Sequence, residues 1–596
     1  MEIFTRPKSV IMVLCMLMCL FLTQAQETII EVPLSKQVEM ATQVVEGKVI
    51  AKESFWDDTR SNIYTKQTIE VYKVFKGQPI ETIELITIGG IVELEAQTVS
   101  HSLHLNNGDL GVFTLKQQDV NNLTQVASSN AYRPVSDAQS FYKYDLANNR
   151  AVNPFKNVGD IEANLYTQLQ TQTNAKFVEV KPIESTLASQ SAKTGSTYSK
   201  AILAPAITSF SATDNSAGTK SVLTINGSGF GTTKGTVGFS DANYGGSLHY
   251  DALVNQVISW MDNKIEVEIP DRAGTGTVKI TTNGGQSITS SQSLTINFSQ
   301  INLEYANSAY QTQHINSNGS GGNTWVMNQD FYSSGAKDAF TRAFENWSCG
   351  TGINWSISPS TTTISTNAND GINVISFDAN MGGGTLGQCY SYYSGCYENG
   401  DIKWYVTGMD IVFNPNKTWN FSTNPPAYDE VDFESVTVHE LGHGHQLGHV
   451  IDTNAVMHYS ISSGESLRQL DSEDLTGAVD VQSRSTTTTV CSQELMTQST
   501  CYAASLSVSD LEALENGIAM YPNPVQDRLS IKNTSQFNID KIAIYNVMGK
   551  QVYRDILNNG NSYDKLNVDV SNLTRGMYLV KLESEVGTTT KKLLVN

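Results

Sequence analysis

Residues 439–449 read His439-Glu440-Leu441-Gly442-His443-Gly444-His445-Gln446-Leu447-Gly448-His449, and this stretch decides what kind of domain surrounds it. On a helix, positions four apart stand one above the other, so His439 and His443 can aim both imidazoles at one ion. Glu440 is rotated by about 100° from His439. It flanks such an ion without ligating it, where a base acting on water beside the metal belongs. A continued helix would leave His449 about 15 Å from His439, whereas zinc holds imidazole nitrogens at about 2.0–2.1 Å. The helix must therefore end and the chain turn back between His443 and His449, a turn that Gly444 and Gly448 permit. His445 is about 200° round from His443, on the wrong face, and is assigned to solvent or to a supporting position. Asp452 is the alternative third ligand, but His449 fits the spacing better.

This run resembles the metzincin zinc signature, with His, Glu, His and the final His in place. Ala455-Val456-Met457-His458-Tyr459 follows, and Met457 resembles the Met-turn at the short spacing of the matrixin branch. The resemblance implies a zinc-dependent endopeptidase acting on proteins or peptides. His439, His443 and His449 would be its ligands, Glu440 its general base, and Met457 the floor beneath the histidines. Calcium is a family expectation that no particular residues claim, and Tyr459 is a weak candidate for assisting catalysis. One position departs, because the family has glycine where this chain has Gln446. A left-handed backbone there would cost about 1–2 kcal/mol, unless the turn moves to a neighbouring glycine.

Outward from the histidines, Asp432 is a plausible N-cap for the metal helix. Ala336, Ala339, Phe340, Ala343, Phe344 and Trp347 recur at helical spacing, which predicts a core helix over about 334–347. Strands are expected at 353–357, 374–377 and 409–413. Gly384-Thr385-Leu386-Gly387 resembles the edge strand on which substrate lies extended. Leu470-Asp471-Ser472-Glu473-Asp474 resembles the start of the final helix.

The remaining chain reads as β-rich modules, giving a multidomain protein with an α+β metzincin-like catalytic domain (301–485) flanked by β domains. Residues 26–195 alternate as strands, as in Thr68-Ile69-Glu70-Val71-Tyr72-Lys73-Val74, and predict a barrel or sandwich. His101 and His104 in that domain lack carboxylate or cysteine company and read as structural. Ser185–Lys200 reads as a linker. Residues 203–298 carry short strands with glycine turns, notably Ile225-Asn226-Gly227-Ser228-Gly229-Phe230-Gly231, and resemble an IPT/TIG immunoglobulin-like sandwich that spaces or binds. After a Thr/Ser-rich linker at 486–518, residues 519–596 predict a small antiparallel sandwich. Tyr521-Pro522-Asn523-Pro524 and Gly576-Met577-Tyr578-Leu579-Val580 make it resemble the C-terminal sorting domain of type IX secretion cargo. That implies the type IX machinery as a partner, and a secreted or cell-surface protein of a Gram-negative bacterium.

The N-terminus agrees with export: Arg6 and Lys8 precede the apolar run Val10–Leu22, with cleavage expected after Ala25, so residues 1–25 read as a signal peptide. No later apolar run reaches spanning length. The chain of 596 residues has 39 Lys and Arg against 59 Asp and Glu, a net charge of -20 that argues against nucleic acid. Beyond the signal, Cys349, Cys389, Cys396, Cys491 and Cys501 remain; short separations favour Cys389 with Cys396 and Cys491 with Cys501, leaving Cys349 over. No cysteine lies between residues 26 and 348, so no thiolate from that side can cap a metal. Two rivals stand beside the protease reading. One is an adhesin or binding protein with an inactive protease-like domain; the other is a closed structural zinc site, for which no fourth ligand is evident near the histidines.

Overall fold

A computed structural model of the chain describes residues 29–126, 130–183, 204–499, 514–535, 537–546, 550–556, 565–584 and 587–596. The expected signal peptide, the expected linker Ser185–Lys200 and Cys501 lie outside the described residues. Two compact units divide the chain, residues 1–497 and 498–596.

The alternation after residue 42 becomes β1 (Gln43–Trp56), β2 (Ile63–Lys76), β3 (Thr82–Ile88), β4 (Gly90–Val92), β5 (Glu95–Val99), β6 (Leu110–Gln117) and β7 (Ala131–Pro134). Bulges near Val45, Gly47 and Ala51 bend the long β1, which pairs with β2 and also with β6. The order β1-β2-β3-β7-β6 therefore closes on itself as a barrel, with β3 and β7 parallel. Val45, Val49, Ile69, Val71, Leu85, Phe113 and Leu115 fill one core of this domain. β4 and β5 leave the barrel and join another sheet.

Residues 206–289 form two four-stranded antiparallel sheets around Leu223, Ile225, Phe230, Phe239, Ile265, Val267 and Val278, the sandwich that the glycine-punctuated strands predict. The next strand, β8 (Thr295–Gln300), pairs in parallel with Asp214–Ala217 and carries the chain onward.

The mixed region contains β9 (Asn323–Met327), α1 (Ala336–Thr351), β10 (Trp355–Ile357), β11 (Asn373–Phe377), β12 (Gly387–Glu398), β13 (Asp401–Phe413), α2 (Phe433–Gly444), β14 (Leu447–Gly448) and α3 (Ser472–Thr487). Its own strands run β10-β9-β11-β13-β12, parallel except for β12, which is antiparallel and is followed in the sheet by β5 and β4. The apolar stripe of α1 is buried as its periodicity predicts, and Trp347 Nε1 donates to the Val438 carbonyl at 2.7 Å, tying α1 to α2. Asp432 caps α2, accepting from the Ser435 N–H at 3.0 Å, and every residue of α2 is buried. Asp471 and Asp474 form a reciprocal capping box on α3.

The expected disulfides are corrected. Cys396 bonds to Cys491 across 95 residues, Cys389 is a buried free thiol, and Cys349 is itself disulfide-bonded. Sequence proximity misleads here because Cys389 and Cys396 share one extended strand, β12, which holds them apart. The stretch from residue 486, read as linker, begins in the last turn of α3. It continues along the same unit, with Val490 and Met496 buried.

In the second unit, strands Ile518–Tyr521, Arg528–Asn533 and Lys565–Asp569 form one antiparallel sheet. Gln551–Ile556, Ile539–Asn546, Gly576–Ser584 and Gly587–Val595 form another, with Leu529, Ile531, Ile544, Val580 and Leu582 in the core. Among the described residues, no helix is long and apolar enough to cross a membrane.

Candidate metal centre

Helix α2 ends at Gly444, with His445 as its C-cap, and Gln446 takes the left-handed conformation at φ 70°. The turn therefore sits on the glutamine itself, not on a neighbouring glycine. Gln446 is fully buried; its Oε1 accepts from the hydroxyls of Thr312 and Tyr393, each at 2.9 Å, and its Nε2 donates to the Gly444 carbonyl at 3.2 Å. These bonds offset the backbone strain.

The fold-back brings His439, His443 and His449 together, with ring centroids 4.6, 4.8 and 5.3 Å apart. Each Nδ1 is engaged: His439 with the Val456 carbonyl at 2.8 Å, His443 with the Leu447 carbonyl at 2.9 Å, and His449 with Asn243 Oδ1 at 2.8 Å. These acceptors place the proton on Nδ1 and leave each Nε2 with a bare lone pair. All three Nε2 atoms are buried without a hydrogen-bond partner. Orphaned buried nitrogens carry a desolvation cost that a metal ion relieves, so this donor set fits a cation that takes neutral imidazoles. Burial drives His439 and His449 well below the ordinary histidine value and His443 to about 4, so the rings stay neutral.

Glu440 is fully buried beside them. Burial pushes its carboxyl up, but the adjacent His101 ring, together with His443 and His439, brings it down to about 2. Met457 lies under the helix: a Cβ on Gly442 would stand 2.2 Å from its Sδ, so the glycine makes room for the methionine. His445 is corrected. It is fully buried, its Nε2 is 2.9 Å from the Thr351 hydroxyl, and its ring packs on Trp347 and Trp355. Asp452 is exposed and outside the cluster, and Tyr459 lines the adjoining cavity of about 280 Å³.

Two further residues reach the cluster from other domains. Asn243 comes from the residue 206–289 sandwich, whose continuation β8 also pairs with β14 through Ser299↔Gly448 and Gln300↔Leu447. His101, read from sequence as structural, offers a ring nitrogen, and the ligand atoms of His101, His439, His443 and His449 all lie within 4.8 Å of one another. A fourth candidate ligand thus exists, supplied by the barrel domain. His104 is exposed and stands outside this group. Nothing local marks Ser100-His101-Ser102; only the pairing of β5 with the β12 edge delivers His101 to Glu440, 339 residues away. That edge begins at Gly387, while Thr385 makes a single antiparallel bridge, so the expected edge segment 384–387 only leads into it.

Residues 324–481 match the family model for matrixin. The chain carries a matrixin domain. An IPT/TIG domain matches residues 205–296, and a secretion system C-terminal sorting domain matches residues 519–596. Metalloendoproteinase 2-MMP of Arabidopsis thaliana is 31% identical over 147 residues, 24% of this chain and 35% of that relative, so the chain spans about a third of its length. A matrixin domain implies zinc, and the cluster in this one has the donors to hold it.

Proposed function

We propose that this protein is a secreted zinc metalloendopeptidase that hydrolyses peptide bonds in extracellular proteins. The observation that carries the reading is the set of three buried, unpartnered Nε2 atoms of His439, His443 and His449 converging beside the Glu440 carboxylate. Bound zinc would supply Lewis acidity, lowering the pKa of water and polarising the scissile carbonyl. The chain's own residues do the rest. The three imidazoles hold the ion, and the acceptors on their Nδ1 atoms fix ring orientation. Glu440 takes the proton of the attacking water and returns it to the leaving amine nitrogen. Freed of β5, strand β12 would offer its backbone to an extended peptide, so pockets rather than the main chain choose side chains.

The sorting domain supports export through a type IX system to the medium or cell surface of a Gram-negative bacterium. The test is cleavage of casein by zinc-loaded protein, with and without prior limited proteolysis. Glu440→Ala is expected to lose at least about 100-fold of the rate, the usual contribution of a positioned base, while keeping one zinc per chain. Cleavage unchanged by the substitution, or no cleavage under either treatment, contradicts the proposal and favours a binding protein with an inactive domain.

A further inference from the structure

We propose that residues 95–101 hold the metal centre shut: His101 is a fourth ligand of the ion, and β5 fills the edge along which substrate would lie. The inference rests on the protease reading above.

Three requirements of such an enzyme are blocked by this one segment. The first is a coordination vacancy, because a site with three protein ligands is open to substrate while a fourth closes it. The His101 ring lies 5.2–5.7 Å from those of His439, His443 and His449, and the residue is buried. The second is a free base. Ser100 Oγ donates to Glu440 Oε2 at 2.8 Å, and His101 Nε2 stands 3.2 Å from Oε1, so both carboxylate oxygens are covered by this segment. The third is an open edge. β5 pairs antiparallel with β12 from Glu95↔Ser394 to Val99↔Tyr390. Ser100 extends the ladder, its N–H donating to the Cys389 carbonyl at 3.0 Å and its Oγ accepting from the Cys389 N–H at 2.9 Å. Farther along, the Ile30 N–H donates to the Gly384 carbonyl at 2.7 Å.

The backbone is shaped for this contact. His101 has φ 61°, a conformation uncommon for non-glycine residues that persists where surrounding contacts enforce it. It turns the chain out of the β5 direction and directs the ring at the cluster.

The test uses the full chain with Co(II) in place of zinc and acetohydroxamate as the probe. His101→Asn keeps a residue that tolerates the left-handed backbone but cannot reach the ion; His101→Ala is the second variant, and thermal unfolding verifies that each is folded. In the parent chain, the cobalt absorption is expected not to respond to hydroxamate. In the variants, hydroxamate should perturb it at concentrations lower by at least about 100-fold, the low end of what a tethered competitor confers, and casein cleavage should appear once limited proteolysis has cut the segment that carries β5. Equal hydroxamate binding by parent and variants overturns the closure. Hydroxamate access with no cleavage even after limited proteolysis upholds the closure and removes the protease reading instead.

Discussion

Gln446 shows how one side chain compensates a backbone that its own Cβ disfavours. Replacing it with glycine relieves about 1–2 kcal/mol of left-handed strain but raises the entropy of the unfolded chain. It also leaves the Thr312 hydroxyl without its acceptor and removes one partner of Tyr393. A buried hydroxyl left unpaired costs about 1–3 kcal/mol, so Gln446→Gly is expected to destabilise the protein by about 1–2 kcal/mol in chemical denaturation. A gain in stability would contradict this account. The histidines and Glu440 were legible because helical geometry ties their spacing to one face. The fate of His445 was not, since the pocket formed by Trp347, Trp355 and Thr351 is assembled from residues far away in sequence.

Among the elements, α2 carries the site, and its first turn depends on one buried ion pair. Asp432 is fully buried, caps the helix and accepts from Arg468 Nε at 2.9 Å. Removing the carboxylate costs the cap, about 1 kcal/mol, and the charge-assisted bond to Arg468, about 1.5–3 kcal/mol, while the guanidinium keeps the Ser422, Thr423 and Asn424 carbonyls as acceptors. Asp432→Ala should therefore lower unfolding free energy by about 2–4 kcal/mol, and a loss below about 1 kcal/mol would contradict it. Asp432 and the stripe on α1 were readable as local patterns. Disulfide pairing was not: Cys396 finds Cys491 because β12 and the segment after α3 meet in the fold, a contact that no local spacing encodes.

Across the whole first unit, the candidate metal centre is a convergence of three domains that the sequence presents as separate modules. The matrixin domain contributes the three histidines and Glu440, the IPT/TIG domain contributes Asn243 and the β8–β14 pairing, and the barrel contributes Ser100 and His101. The modules were recognisable from their strand patterns, yet the sequence gives the IPT/TIG region only a spacing or binding role and the barrel none at the site. Their contributions depend on long-range strand pairing and leave no signature in the residues themselves.

The most direct measurement is zinc-edge X-ray absorption on the zinc-loaded chain, paired with metal content in a His443→Ala variant. One zinc per chain with nitrogen neighbours at about 2.0–2.1 Å, lost in the variant, is the expected result. Undiminished zinc in His443→Ala, or a sulfur neighbour near 2.3 Å, would contradict it.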